Sequence, residues 1–168
     1  MSDVESSIRF CAQHEQDTQQ LGEIIAANLH GGLFIALTGT LGAGKTRLVQ
    51  AIAESLGVER TEVTSPTFSL VQVYQGRLPL VHIDAYRIAD DDEYLELGID
   101  EMCDDQSVVI MEWAERFTTL LPTDRLSIQI EVQGDSQREF LICWPEKSAS
   151  TAHVGEFIRQ DLKRSDSR

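Results

Sequence analysis

The chain has 168 residues, 42% hydrophobic and 25% charged, enough for one domain with a substantial core, too short for two comfortable ones, and too apolar for disorder to be the default. Its net charge of −14, from 14 basic and 28 acidic residues, repels phosphate backbones at long range and disfavours a chain that binds nucleic acid by itself. No apolar run approaches the roughly 20 residues of a membrane span, the opening MSDVESSIRF lacks the basic-then-apolar order of a signal peptide, and Cys11, Cys103 and Cys143 show no C-x-x-C spacing, so the expectation is a cytoplasmic chain with free thiols and no zinc site.

Residues 1–10 are expected to be frayed. DTQQLGEIIAANLHGG (17–32) predicts a helix, with Asp17 as N-cap, Leu21, Ile24, Ile25 and Leu29 at helical spacing, and Gly31-Gly32 as the stop. LFIALT (33–38) is nearly continuously apolar and suits a central strand buried on both faces. After GTLGAGKT, the run RLVQAIAESLG reads as a helix ending at Gly57. TFSLVQVY and LPLVHID, joined through Gln75-Gly76, predict an antiparallel hairpin.

DDDEYLELG is a short helix capped among Asp90 to Asp92, and SVVIMEW is a buried strand ending in Glu112 and Trp113. RLSIQIEV, QGDSQ and REFLICW predict a second hairpin, TAHVGEFIRQDL a closing helix, and 164–168 a frayed end. Helix-crossed strands mixed with hairpins imply an α/β fold: one domain over 1–168, a mixed sheet with a parallel core plus antiparallel hairpins, flanked by helices.

Gly39-Thr40-Leu41-Gly42-Ala43-Gly44-Lys45-Thr46 fits G-x-x-x-x-G-K-[ST] at every fixed position. The glycines permit backbone angles that other residues resist and let amides approach an anion closely. Loop amides and the following helix N-terminus then cradle phosphates, Lys45 reaches the β and γ phosphates, and the Thr46 hydroxyl is offered to Mg²⁺. A glycine-rich turn with an exposed lysine is the competing interpretation. The apolar strand before the motif and the amphipathic helix after it favour a P-loop NTPase fold.

A phosphate site of this kind needs a metal-side carboxylate at the end of a neighbouring strand, and Asp84 and Glu112 both qualify. One holds Mg²⁺ and the other positions the attacking water, or each merely caps the turn after it. His82, Asp84 and Tyr86 fall on alternate positions and are expected to share one strand face, turned toward bound triphosphate and metal. A histidine beside a carboxylate is read first as a structural hydrogen-bond partner. Tyr86 and Arg87 are read as loop-orienting residues, with Arg87 as a charge-stabilising finger the minority alternative. Thr64, Ser65, Pro66 and Thr67 form either a nucleotide-ordered switch segment or an ordinary Ser-Pro turn. Trp113 packs near the site or in the core. Guanine-reading GTPases carry N-K-x-D or T-K-x-D; the single asparagine, Asn28, precedes Leu29 and no lysine has the needed neighbours, which favours ATP.

GTLGAGKT, TSPTFSL, HIDAYR and VVIMEW, in this order and spacing, resemble the TsaE family of small bacterial P-loop ATPases of tRNA threonylcarbamoyladenosine (t6A) synthesis, over most of residues 15–145. The resemblance implies Mg²⁺-dependent hydrolysis of ATP to reset a TsaB–TsaD heterodimer between turnovers, with tRNA held by those partners. It implies Lys45 and Thr46 as nucleotide and metal residues, 64–67 as the switch-like loop, Asp84 as the essential aspartate and Glu112 as the metal-side glutamate. It further implies nucleotide contacts from Glu15 and Arg138. A P-loop small-molecule kinase is the alternative. It is disfavoured by the lack of an arginine-rich lid and by the acidic DDDEYLELG segment, which would repel an anionic acceptor. A nucleotide-binding module with negligible hydrolysis is a third possibility.

Overall fold

The apolar runs assemble into one sheet in a computed structural model that describes residues 5–64 and 69–165. In chain order the elements are β1 (Glu5–Ala12), α1 (Glu15–Asn28), β2 (Leu33–Thr38), α2 (Lys45–Ser55), β3 (Val71–Tyr74), β4 (Leu80–Asp84), α3 (Asp91–Glu96), α4 (Ile99–Met102), β5 (Val108–Glu112), β6 (Leu126–Val132), β7 (Arg138–Pro145) and α5 (Ala149–Ser165). Short 3-10 turns follow α2, β4 and β5. The seven strands lie in the order β1-β7-β6-β2-β5-β4-β3. β6, β2, β5 and β4 are parallel, and β3, β7 and β1 pair antiparallel to their neighbours. The mixed sheet and both hairpins are as the sequence predicts. No helix among the described residues is long and apolar enough to cross a membrane.

The near-continuous apolar character of β2 follows from its central place, because alternate residues enter different cores. Leu33, Ile35 and Leu37 pack with Leu21 and Ile25 of α1, Leu48 and Ile52 of α2, and Ile158 and Leu162 of α5. Phe34 and Ala36 join Tyr94, Ile99, Met111 and Phe117 on the opposite face. The parallel register brings Leu37 opposite Glu112 and Asp84 opposite Glu112. The carboxyl-terminal ends of β2, β4 and β5 therefore open at one edge of the sheet.

Three expectations change. Residues 5–10 are paired, not frayed: β1 forms an edge strand in register with β7, from Glu5 opposite Pro145 to Ala12 opposite Arg138. Ile8 and Phe10 pack against the core, and Arg9 is ion-paired with Glu139. Helix α1 starts at Glu15 with His14 as N-cap, three residues before the expected cap, Asp17. Asp17 instead reaches backward, accepting from the backbone N–H of Gln13 at 2.7 Å and of His14 at 2.9 Å, which is the reciprocal half of a capping box. At the other end, Arg164 and Ser165 belong to α5, and residues 166–168 lie outside the described residues.

Helix α5 is seated on the sheet through Gly155. A Cβ at that position would lie 2.2 Å from the Trp144 ring, itself buried in the core. Alanine is ordinarily the better helix former by about 1 kcal/mol, but overpacking of this severity costs about 1–3 kcal/mol. Gly155→Ala is therefore expected to lower the melting temperature by several degrees, about 2–4 °C per kcal/mol for a chain of this size. Thermal unfolding checks it, and an unchanged or raised melting temperature would mean that α5 moves away from the sheet at little cost.

Candidate functional site

The loop between β2 and α2 has the backbone that its glycines allow. Gly39, Gly42 and Gly44 have φ of +144°, +76° and +110°, values that side chains with a Cβ rarely adopt. A Cβ at Gly39 would also lie 2.6 Å from the Ile130 carbonyl oxygen, whereas Gly42 and Gly44 face open space. Ala43 is buried and its N–H donates to the Thr40 carbonyl at 3.1 Å, folding the loop on itself, while Leu41 stands exposed at the tip. Gly44 caps α2 with no side chain of its own. Gly44, Lys45 and Thr46 at the start of this 11-residue helix line the cleft, and a helix N-terminus with no side-chain cap is suited to an anion.

Two clefts of about 430 Å³ each flank the loop. Leu41, Lys45, Thr46, Asp84, Glu112 and Trp113 line the first. Glu15, Thr18, Asp135, Arg138 and Phe140 line the second. Gly42, Gly44 and Arg47 border both.

Lys45 is only 5% exposed. Its Nζ donates to the carbonyls of Gly39 at 2.5 Å and Thr40 at 3.0 Å and lies 3.5 Å from the centroid of the Trp113 ring. Burial pushes its pKa down, against the opposing pull of the Glu112, Glu115 and Asp84 charges. The Thr46 hydroxyl donates to Glu112, 2.8 Å from Oε1 and 3.1 Å from Oε2, and His82 Nε2 lies 2.8 Å from the same Oε1. Both His82 and Glu112 are buried. Asp84, buried beside them, accepts the Tyr86 N–H at 3.0 Å and so caps the 3-10 turn of residues 85–87.

His82 thus has the structural-partner role expected of it, and the alternation ends at Asp84. The 3-10 turn carries Tyr86 out to the surface, where its ring packs 4.9 Å from that of Trp113. Trp113 does both, packing against the second core while its ring faces the site. It has φ of +60° and lines the first cleft, a left-handed backbone uncommon for a bulky residue. Arg87 lines the same cleft.

The donor set fits a small hard cation. A hydroxyl and two carboxylates from adjacent parallel strands are oxygen ligands of the type Mg²⁺ takes alongside substrate phosphates. Among the described residues no group of three His, Cys, Asp or Glu forms a complete metal cage, and a nucleotide-bound magnesium needs none.

Glu15 and Arg138 both border the second cleft and already have partners. Glu15 is ion-paired with Arg47 at 2.5 Å and Arg60 at 3.0 Å, and the Arg47 hydrogen bond, followed by its charge, holds the carboxyl below the usual carboxylate range. Arg138 Nε donates to the Ala43 carbonyl at 3.0 Å while Nη1 donates to the carbonyls of Gly134 and Gln137 at 3.0 and 2.9 Å, tying the β6–β7 turn to the glycine loop. Of the switch-like segment, only Thr64 is described; its carbonyl accepts from the Tyr74 hydroxyl at 3.5 Å, and Ser65, Pro66 and Thr67 lie outside the described residues.

Among the residues at or beside the site that the sequence does not reveal are two arginines. Arg47 borders both clefts, and the available signal was a cation in the first turn of a helix, where the macrodipole disfavours it. Arg116 donates to the carbonyls of Ala85 and Tyr86 and pins the turn that carries Tyr86 and Arg87. Nothing in its local sequence signals that contact.

The chain resembles known proteins over most of its length. The family model described as "Threonylcarbamoyl adenosine biosynthesis protein TsaE" matches residues 12–140. A tRNA threonylcarbamoyladenosine biosynthesis protein TsaE of Treponema pallidum is 37% identical over 135 residues, covering 80% of this chain and 99% of the relative. The protein of that name from Bacillus subtilis is 37% identical over 160 residues, covering 95% and 96%. Among solved structures, the crystal structure of Bacillus subtilis YdiB superposes with a TM-score of 0.75 at 30% identity, covering 98% of this chain and 99% of that one.

Proposed function

Because this chain belongs to the TsaE family and so takes part in tRNA threonylcarbamoyladenosine biosynthesis, we propose that its part is Mg²⁺-dependent hydrolysis of ATP to ADP and phosphate, coupled to resetting a TsaB–TsaD heterodimer. The observation that carries this reading is the contact of the Thr46 hydroxyl with Glu112, beside Asp84 and at the mouth of the glycine loop. A hydroxyl and two strand-end carboxylates around an anion cradle match the needs of a triphosphate with its cation.

In this reading the amides of residues 39–46 bind the phosphates, and Lys45 leaves the Gly39 and Thr40 carbonyls to meet the β and γ phosphates. Thr46 and Glu112 hold Mg²⁺, which when bound neutralises charge on the phosphate oxygens and orients them. Asp84 positions the attacking water. Thr64 to Thr67 respond to the nucleotide, and Glu15 and Arg138, which border the second cleft, contact it. With a net charge of −14 the chain leaves tRNA to its partners, and the reaction belongs to the cytoplasm.

The reading is tested by incubating the purified chain with ATP and Mg²⁺ alone, with a panel of small metabolites, and with the purified heterodimer. Phosphate release that rises only with the heterodimer is the expected result. A phosphorylated metabolite makes the protein a kinase, and tight ATP binding with no phosphate released in any mixture makes it a binding module.

A further inference from the structure

His82, like Asp84, is a buried polar residue of β4 whose chemistry the strand itself does not need. Leu80, Val81 and Ile83 fill the two cores around it, and His82 itself has no exposed surface. A leucine there would bury no polar atom. The imidazole buries two, and only one is satisfied. Nε2 lies 2.8 Å from Glu112 Oε1, whereas Nδ1 has no hydrogen-bond partner among the described residues. An unpaired buried nitrogen costs stability, so packing alone does not account for a histidine at this position.

The geometry assigns His82 as a positioning residue for Glu112, an inference that rests on Glu112 being the magnesium-side carboxylate. An ionised carboxylate can only accept. The nitrogen facing it must therefore donate, which puts a ring hydrogen on Nε2. Oε1 of Glu112 then takes two donors, His82 at 2.8 Å and Thr46 at 2.8 Å, while Oε2 has only the longer 3.1 Å contact to Thr46.

The ring that grips Oε1 has little room to turn. It sits on a strand held on both sides, opposite Gln72 of β3 and Ile110 of β5, and its centroid is 6.3 Å from that of Tyr74. Tyr74 is itself anchored, donating to Gln72 Oε1 and to the Thr64 carbonyl. The carboxylate is fixed through one oxygen so that the other keeps its accepting capacity for a cation. Partners of this kind change metal affinity or activity by about 10–100-fold when removed.

The test compares wild type with His82→Leu, which removes the donor, and His82→Gln, whose side-chain amide restores a donor on a flexible stem. ADP affinity is measured by calorimetry in EDTA, and Mn²⁺ binding to the ADP complex by paramagnetic resonance. The expected result is Mn²⁺ affinity about 10–100-fold weaker in His82→Leu and largely recovered in His82→Gln, with ADP affinity in EDTA preserved in both. Nitrogen-15 spectra of the wild-type ring, needing no variant, are expected to show the hydrogen on Nε2.

Unchanged Mn²⁺ affinity in His82→Leu, parallel losses of Mn²⁺ and metal-free ADP affinity, or a ring with no hydrogen on Nε2 would each overturn the inference. Should His82→Leu fail to fold, His82→Gln and the wild-type tautomer still decide. A wild-type protein that binds ADP with no bound Mn²⁺ would instead refute the metal-side reading of Glu112, and the inference with it.

Discussion

Lys45→Ala is expected to weaken ATP binding about a hundredfold while leaving the nucleotide-free protein nearly as stable as before. The loss in affinity follows from what the ammonium does when phosphates are bound. A charge-assisted hydrogen bond is worth about 1.5–3 kcal/mol, and 3 kcal/mol is roughly a hundredfold in Kd. Stability follows different physics. Burial holds the Lys45 pKa below that of an ordinary amine even though Glu112, Glu115 and Asp84 pull the other way. A base whose pKa falls on folding binds its proton less tightly in the native state. Its charge therefore subtracts from stability below the folded pKa, and the deficit disappears as the pH rises past the unfolded value of about 10.4.

Alanine at position 45 removes that deficit. It also removes the bonds to the Gly39 and Thr40 carbonyls and the contact with Trp113. These opposing changes leave the melting temperature without nucleotide within about 3 °C of wild type. Calorimetric titration with ATP and thermal unfolding without it check both halves. A variant that melts far below wild type would make Lys45 a structural pin of the loop, and one that binds ATP normally would remove the phosphate role.

What could be read from the sequence depended on how local the cause was. The glycine loop was legible because each fixed position answers a local demand: Gly39, Gly42 and Gly44 take positive φ, and Lys45 and Thr46 must sit in the first turn of a helix. β2 and β5 were legible because a strand buried on both faces has to be apolar at every step. The Asp90 cap was legible because its carboxylate bonds the Glu93 N–H at 2.9 Å, three residues away. β1 was hidden because its weak alternation of Ile8, Phe10 and Ala12 lies in a polar stretch and becomes a strand only through pairing with β7, some 130 residues later in sequence. Asp17 misled because the same side chain serves as a cap or as the back-reaching third residue of one, and only the chain path separates the two. Arg116 and Arg138 grip carbonyls far away in sequence, and a long flexible side chain leaves no local pattern to say where its donors go.

The strongest discrimination between the two carboxylates comes from conservative variants. Glu112→Gln is expected to lower kcat for ATP hydrolysis by about a hundredfold or more, with ADP affinity in EDTA retained. The amide has nearly the shape of the carboxylate, so the buried site keeps its volume. Its chemistry changes at both contacts, because one end now donates. The Thr46 hydroxyl and His82 Nε2 both approach Oε1. An amide nitrogen at that end would face two donors, and an amide oxygen there would turn the nitrogen toward the cation position. Either orientation weakens the cation site, so the Mg²⁺ concentration for half-maximal rate should rise.

Asp84→Asn differs in kind. Its oxygen can still cap the Tyr86 N–H, now 3.0 Å from Asp84 Oδ1, so the turn should persist and the Mg²⁺ requirement should change little while kcat falls. Rates measured across a Mg²⁺ series for the two variants separate these patterns. If Glu112→Gln hydrolysed ATP at the wild-type rate while Asp84→Asn lost its response to Mg²⁺, the two roles would be exchanged. The fold would accommodate that exchange, because Asp84 and Glu112 are direct partners across β4 and β5 and open onto the same cleft.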